Sequence, residues 1–462
     1  MKKGWETKRL GDFAATVSTG PFGSVLHKSD YVDEGVPLVN PTNMVDEGII
    51  PDPSKLIDDV TKRRLSGYVL KVGDIVVARR GEIGRCAVIG LDEDGWVCGT
   101  GSFFIRPLPI LDSQFLAHLI RSNGYREKLE QLSTGTTMKN LSNTALSDLA
   151  ISVPPLPEQH RIVSLLDEAF AGLAIAQANA EKNLQNARAL FESHLQSVFT
   201  QRGKGWVDTK AGKSGQKERQ RPVDDAEMAR LHVGYVTRTG GREATTRHIP
   251  GPLSLSVGMP NASPEIGWRW SALTDVARLE SGHTPSRRHP EYWGGPIPWI
   301  GIQDARIHHG RQIENTAQTI NELGTANSSA RVLPSNTVCL SRTASVGYVV
   351  VMGRPMATSQ DFVNWVCSNN LVPDFLKYVF LAEGRDGLLR YASGSVHQTI
   401  YFPEAKAFHI CHPSPDEQRR IVKQCDALAT ETQRLARHYQ QKLSALAALK
   451  KSLLHQAFTG AL

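Results

Sequence analysis

This chain is written twice, and a repeat constrains architecture before any local pattern does, because each copy must be able to form the same unit. Gly4-Trp5, Leu10 and Asp12 return as Gly267-Trp268, Leu273 and Asp275 at one constant offset. The run Leu70-Lys71-Val72-Gly73-Asp74-Ile75-Val76-Val77-Ala78-Arg79, followed by Gly84, falls without a gap on Leu333 to Arg342 and Gly347. Further along, Ser133-Thr134-Gly135, Leu141, Glu158-Gln159, Arg161-Ile162-Val163 and Phe199-Thr200 come back as Ala392-Ser393-Gly394, Ile400, Glu417-Gln418, Arg420-Ile421-Val422 and Phe458-Thr459, with one shared shift. Many repeats only extend a core. Here each copy contains two unlike parts.

The first part, 1–152 and 267–411, alternates short apolar runs such as Asp74-Ile75-Val76-Val77-Ala78 and Tyr348-Val349-Val350-Val351 with Gly, Asn and Pro turns. That pattern predicts a mixed α/β or mostly β globule. Helical spacing interrupts it at Phe115 to Ile120, mirrored by Phe375 to Phe380.

The second part, 153–200 and 412–460, reads as one long helix in each copy. Pro157 and Pro415 suit a first helical position, and Ser414 with Glu417 forms a capping-box pattern. Apolar residues follow at steps of three and four, from Ile162, Leu166, Ala169 and Leu173 to Phe191, Leu195 and Val198, and again from Ile421 and Cys425 to Leu446 and Leu454. Two helices with matching seams pair with each other. At ~1.5 Å per residue, about 40 residues make a rod of roughly 60 Å, and an antiparallel pair of such rods holds two globules apart.

Between the copies, 201–266 is rich in Gly, Arg, Lys and Pro, with Lys210 to Lys217 its most polar stretch. It reads as a linker, partly disordered. Gly205-Trp206 echoes Gly4-Trp5, so a short piece is expected to be ordered after the first helix.

With 462 residues, 40% hydrophobic and 21% charged, the chain can form more than one core. A net charge of +7 favours a polyanionic partner without demanding one. Cys86, Cys98, Cys339, Cys367, Cys411 and Cys425 show no CxxC spacing and are too sparse for a disulfide framework, so free thiols are expected. The N-terminus lacks an apolar leader, and no stretch approaches a membrane span. The expectation is a cytoplasmic protein.

Catalytic motifs do not emerge. Gly212-Lys213-Ser214 resembles the end of a phosphate-binding loop, but Val207 stands where the leading glycine is required. Asn40-Pro41-Thr42 lacks the second proline and the aromatic of an amino-methyltransferase loop, and Gly99-Thr100-Gly101-Ser102 reads as a turn. His308-His309 has no partner at metal-ligand spacing, and no GxSxG elbow occurs.

Two differing globules, each followed by a long helix opening with Pro155-x-Pro157-x-Gln159-x-x-Ile162-Val163 or Pro413-x-Pro415-x-x-Gln418-x-x-Ile421-Val422, resemble the specificity subunits of type I restriction-modification enzymes. Val72-Gly73-Asp74-Ile75-Val76 and the loops Gly135-Thr136 and Gly394-Ser395 also fit. The resemblance implies an α/β (α+β) chain of two target recognition domains, 1–152 and 267–411, joined by two long antiparallel coiled-coil helices with a pseudo-twofold repeat. It implies a non-catalytic reader of a bipartite double-stranded DNA site that docks methyltransferase and motor/nuclease subunits. S-adenosylmethionine, ATP and Mg are then expected on those partners, with no cofactor, metal or membrane for this chain. The long linker departs from the family. So does Ser335-Asn336-Thr337 in place of Val72-Gly73-Asp74, and the turn there is expected to differ. The alternatives are an orphan subunit or the DNA-binding scaffold of another defence system, and a self-contained restriction enzyme, which would need the missing motifs.

Base edges are read by Arg, Lys, Asn, Gln or His, and phosphates are held by Arg, Lys, Ser or Thr on loops. The turn after the shared strand supplies Arg79, Arg80 and Arg85 in copy one and Arg342, Thr343 and Ser345 in copy two. A second loop carries Thr136, Thr137, Lys139 and Asn140, and its counterpart carries Ser395, His397 and Gln398. The competing expectation is that Arg79 and Arg342, being shared, pair with core carboxylates. Residues that differ beside them suit two domains reading different half-sites.

Overall fold

In the computed structural model the duplicated run folds as an inner strand, Ile75–Ala78, between Ser102–Pro107 and Cys86–Val88, with Ala14–Thr19 completing an antiparallel sheet. Strand residues alternate faces. Ile75 and Val77 enter one apolar cluster with Phe103, Ile105 and Phe115, whereas Val76 and Ala78 enter another with Val39 and Phe104. Both faces are covered, which is why this run is continuously apolar. Copy two repeats the arrangement with Ala277–Ser281, Phe362–Cys367, Val338–Ser341 and Val349–Met352, and adds Gln312–Ile313 at the edge. Helices Ser113–Arg121 and Pro373–Leu389 lie where the helical spacing places them. Small sheets containing a parallel pair complete each globule, Val97–Cys98 with Val36–Val39 and Trp293–Ile300 with Ala357–Thr358. Of the two readings of these globules, mixed α/β holds.

The described residues are 4–22, 25–45, 48–135, 139–200, 244–260, 263–394, 397–459 and 461. They divide into two units, 1–183 with 438–462, and 184–437. The boundaries therefore pass through both long helices, Leu156–Phe199 and Pro415–Thr459, and each unit holds the start of one helix and the end of the other. In the first unit Ile162 and Leu166 share a core with Leu454 and Ala457; in the second, Leu195 and Phe199 share one with Ile421 and Cys425. The seam residues from Ile162 to Val198 are buried or half-buried throughout. Each helix end is anchored by an aromatic: Phe458 meets Phe115 at 5.4 Å between ring centroids, and Phe199 meets Phe375 at 5.3 Å. Trp5 and Trp268 complete the same two clusters, which accounts for the repeated Gly-Trp. Burying one such side chain contributes about 1.5–3 kcal/mol, more than the roughly 0–1 kcal/mol of an exposed pair such as Arg161–Glu158.

The motif glutamine opening each long helix is fully buried. Gln159 Oε1 accepts the Asp112 N–H at 2.7 Å, and its Nε2 donates to the carbonyls of Ile110 and Pro154. Gln418 does the same with Val372 N–H and the carbonyls of Asn370 and Pro413. Pro415 is the first residue of its helix, but Pro157 is the second, after Leu156. The Ser414 hydroxyl accepts the Glu417 N–H at 3.4 Å.

Two expectations are corrected. The turn at Asn336 does not differ from that at Gly73: their φ angles are 64° and 85°, and their N–H groups donate to the equivalent carbonyls of Met352 and Ile89. Asparagine enters the left-handed region at low cost, so it can replace glycine there. Nor is all of 201–266 a linker. Leu255–Val257 pairs with Phe408–His412, the strand that also receives Arg269–Ala272, and Leu255 and Val257 are fully buried. Polar neighbours hid a short alternation, Leu253, Leu255, Val257, that is enough for a strand. The Lys210 to Lys217 stretch, Gly212-Lys213-Ser214 and the Gly205-Trp206 echo lie outside the described residues.

Candidate nucleic-acid interface

In the first unit, backbone pairing carries the strand Ile75–Ala78 directly into the candidate turn. The Arg79 N–H donates to Gly101 O at 3.0 Å, and Arg79 O accepts the Leu141 N–H at 3.0 Å. The turn is thereby held between Gly99-Thr100-Gly101 and Asn140-Leu141. Asn140 joins the two candidate loops through its side chain: its Oδ1 accepts from Arg79 Nε at 3.1 Å and from Arg80 Nε at 3.3 Å. The Arg79 guanidinium also lies over the Phe103 ring, 5.5 Å from its centroid. Burial, then repulsion from Arg80, lowers the Arg79 pKa. A guanidinium remains charged regardless, so two like charges this close favour an anion.

Arg80 and Lys139 are exposed. Lys139 Nζ is 3.6 Å from Glu130, an exposed pair of little strength. Arg85 is not part of this group, since it pairs with Glu82 and donates to the Met44 carbonyl. Thr136 and Thr137 lie outside the described residues, as does Ser395 of the second copy.

The second unit keeps the frame and changes its occupants. The Arg342 N–H donates to Asp361 O at 2.7 Å, and Arg342 O accepts the Ile400 N–H at 2.8 Å. The Arg342 Nε donates to Gln360 O at 3.1 Å, and its guanidinium lies over Phe402. Thr343 and Thr399 share a hydroxyl contact of 2.7 Å, joining the same two loops that Asn140 joins in copy one. Ser345 is half-buried, and its backbone carbonyl accepts from Ser341 Oγ. His397 and Gln398 are exposed, and Gln398 Nε2 donates to Gly394 O.

Each unit pairs a buried carboxylate with another arginine: Asp74 with Arg106 at 2.6 Å in the first, and Glu280 with Arg331 at 2.7 Å in the second. His309 accepts the Val349 N–H on Nδ1 at 3.1 Å, and burial lowers its pKa. Among the described residues no group of His, Cys, Asp and Glu could hold a metal ion, and no helix is long and apolar enough to cross a membrane.

The family model for the Type I restriction modification DNA specificity domain matches residues 2–185 and 265–445, once in each copy. The chain belongs to this family. The MjaIX specificity subunit of Methanocaldococcus jannaschii is 32% identical over 160 residues, 34% of this chain and 36% of that one. The HindI specificity subunit of Haemophilus influenzae is 23% identical over 336 residues, 70% of this chain and 72% of that one. The chain thus spans about a third of the length of the first relative and seven-tenths of the second. The HsdS subunit of Thermoanaerobacter tengcongensis shares the fold, with a TM-score of 0.59 and 18% identity, covering 100% of this chain and 98% of that one. A chain from a structure of type I R-M complex assembly aligns at a TM-score of 0.70 and 19% identity, with 100% and 99% covered.

Sequence reasoning missed two features of this specificity chain. Gln360 and Thr100 occupy equivalent places beside Arg342 and Arg79, but the register between the copies shifts between Gly347 and Ser359, which conceals the match. Arg287 lies over two rings, 4.1 Å from Trp293 and 5.4 Å from Trp299, with its Nη2 on Gln318. Nothing in the local pattern separates that arginine from its neighbour Arg288.

Proposed function

We propose that this chain reads a bipartite double-stranded DNA site, one half with each unit, and performs no chemistry itself. One observation carries the reading: a single backbone frame, strand into arginine turn into braced loop, is built twice, while the side chains around the shared arginine differ. A common frame supplies phosphate affinity and orientation, and differing residues supply different base preferences. Arg79, Arg80, Lys139 and Asn140 are assigned to one half-site; Arg342, Thr343, His397 and Gln398 to the other. Membership of a type I restriction-modification family is in keeping with partner subunits; methyltransferase and motor/nuclease subunits are assigned as those partners, in the cytoplasm, with S-adenosylmethionine, ATP and Mg assigned to them. The test is titration of duplex DNA with the purified chain, alone and with its methyltransferase partner. Binding that weakens steeply with salt is expected, with methyl transfer only in the assembled complex. Methyl transfer from S-adenosylmethionine by the isolated chain would overturn the reading.

A further inference from the structure

The loops that receive the two shared arginines are equivalent in backbone and unlike in surface. In copy one the loop is Gly99-Thr100-Gly101, and it is pressed against Asn40 and Pro41: a Cβ on Gly99 would lie 2.3 Å from Asn40 Oδ1, and one on Gly101 2.9 Å from Pro41 Cδ. In copy two the loop is Ser359-Gln360-Asp361, and it braces itself. Ser359 Oγ donates to Asp361 Oδ2 at 3.0 Å and accepts the Asp361 N–H at 3.2 Å. The His283 N–H donates to Thr358 O, which ties the loop beginning at Gly282 alongside. From that loop the Thr284 hydroxyl donates to Gln360 Oε1. The Gln360 side chain is exposed, beside the Arg342 guanidinium that its own carbonyl holds.

We infer that Gln360, oriented by Thr284, is a base-reading residue of the second unit and selects an adenine. This rests on the chain being a DNA reader, and it adds a position outside the two loops already assigned. An amide oxygen has two lone pairs and an amide nitrogen two protons. With one lone pair taken by Thr284, Gln360 still has an acceptor for adenine N6–H and a donor for adenine N7, the bidentate pattern that glutamine makes in the major groove. Holding the amide by a neighbouring hydroxyl removes rotamer freedom before DNA arrives, so less is lost on binding. Thr100 in copy one has a shorter side chain on a loop pinned by Asn40 and Pro41, and it cannot make that bidentate pair. The two half-sites should therefore differ at this position.

The experiment uses the chain assembled with its methyltransferase subunits, and reads the adenine-methylated motif in cells and the binding of duplexes varied one base pair at a time. Gln360→Ala should reduce discrimination at one A·T position of the second half-site by about 10-fold or more, leaving the first half-site unchanged. Gln360→Thr, which installs the side chain that copy one carries, should do the same, and thermal unfolding of both variants should match the parent. An unchanged preference in variants that still methylate, or a change in the first half-site, would overturn the assignment. Should the unsubstituted complex show no sequence preference in DNA binding, the functional reading fails before Gln360 is at issue.

Discussion

Glu383 lies at the kink of helix Pro373–Leu389, just before Gly384 with φ of 61°, and burial pushes its carboxyl up to about 8 although Arg390 opposes the shift. In the unfolded chain the group titrates near its ordinary 4.5. Between those values the unfolded chain has released a proton that the folded one keeps, so stability is lost as pH rises through the window. Glu383→Gln removes this titration. The melting temperature of the variant should exceed that of the parent by a margin that widens from about pH 5 to about pH 8 and levels off above. A margin independent of pH would contradict the assignment. His118, His309 and His412 act on the acid side: burial lowers each, so the unfolded chain takes up protons first and stability is lost as pH falls below the ordinary value of 6.5. His118 is nonetheless held by Asp167 at 2.9 Å, where copy two places Tyr378 on Asp426. One position is thus served by two chemistries, which a search for identical residues passes over.

At the scale of elements, Gln159 and Gln418 explain why the helix-opening motif carries a glutamine rather than another polar residue. Each satisfies one backbone donor and two backbone acceptors where a globule meets its long helix. Gln159→Leu keeps the volume but leaves those groups buried and unpaired, which should destabilise the first unit by roughly 2–4 kcal/mol. Urea unfolding would measure it; a loss below about 0.5 kcal/mol would mean that water replaces the amide.

The long helices and the strand Ile75–Ala78 were legible in the sequence because their periodicity extends over many residues. Leu255–Val257 was not, since three residues amid polar ones carry almost no periodic signal and the strand exists only through its partner Phe408–His412. The arginine turns were legible through the repeat. Asn140 was named as a candidate, but its bracing of Arg79 and Arg80 required knowing that two distant loops meet. Arg85 is a candidate by proximity along the chain alone, and the fold turns its side chain toward Glu82 and the Met44 carbonyl.

At the scale of the molecule, each unit has its own sheet, its own core and its own copy of the arginine frame, and each is completed by the end of a helix that begins in the other. The proposed modular reading of DNA relies on that construction, which also fixes where an exchange should be cut. A replacement beginning at 267 would strip Leu255–Val257 from its sheet, and one ending at 411 would cut the strand Phe408–His412, so the exchanged segment has to begin near 245 and end at 412, before the glutamine that anchors the second long helix. The most direct measurement is to exchange 245–412 for the matching segment of another specificity chain, assemble the product with its methyltransferase subunits, and sequence the adenine-methylated motif. Independent readers predict that one half of the motif changes while the other half stays as it was. A change in both halves, or in neither while methylation continues, would contradict the account.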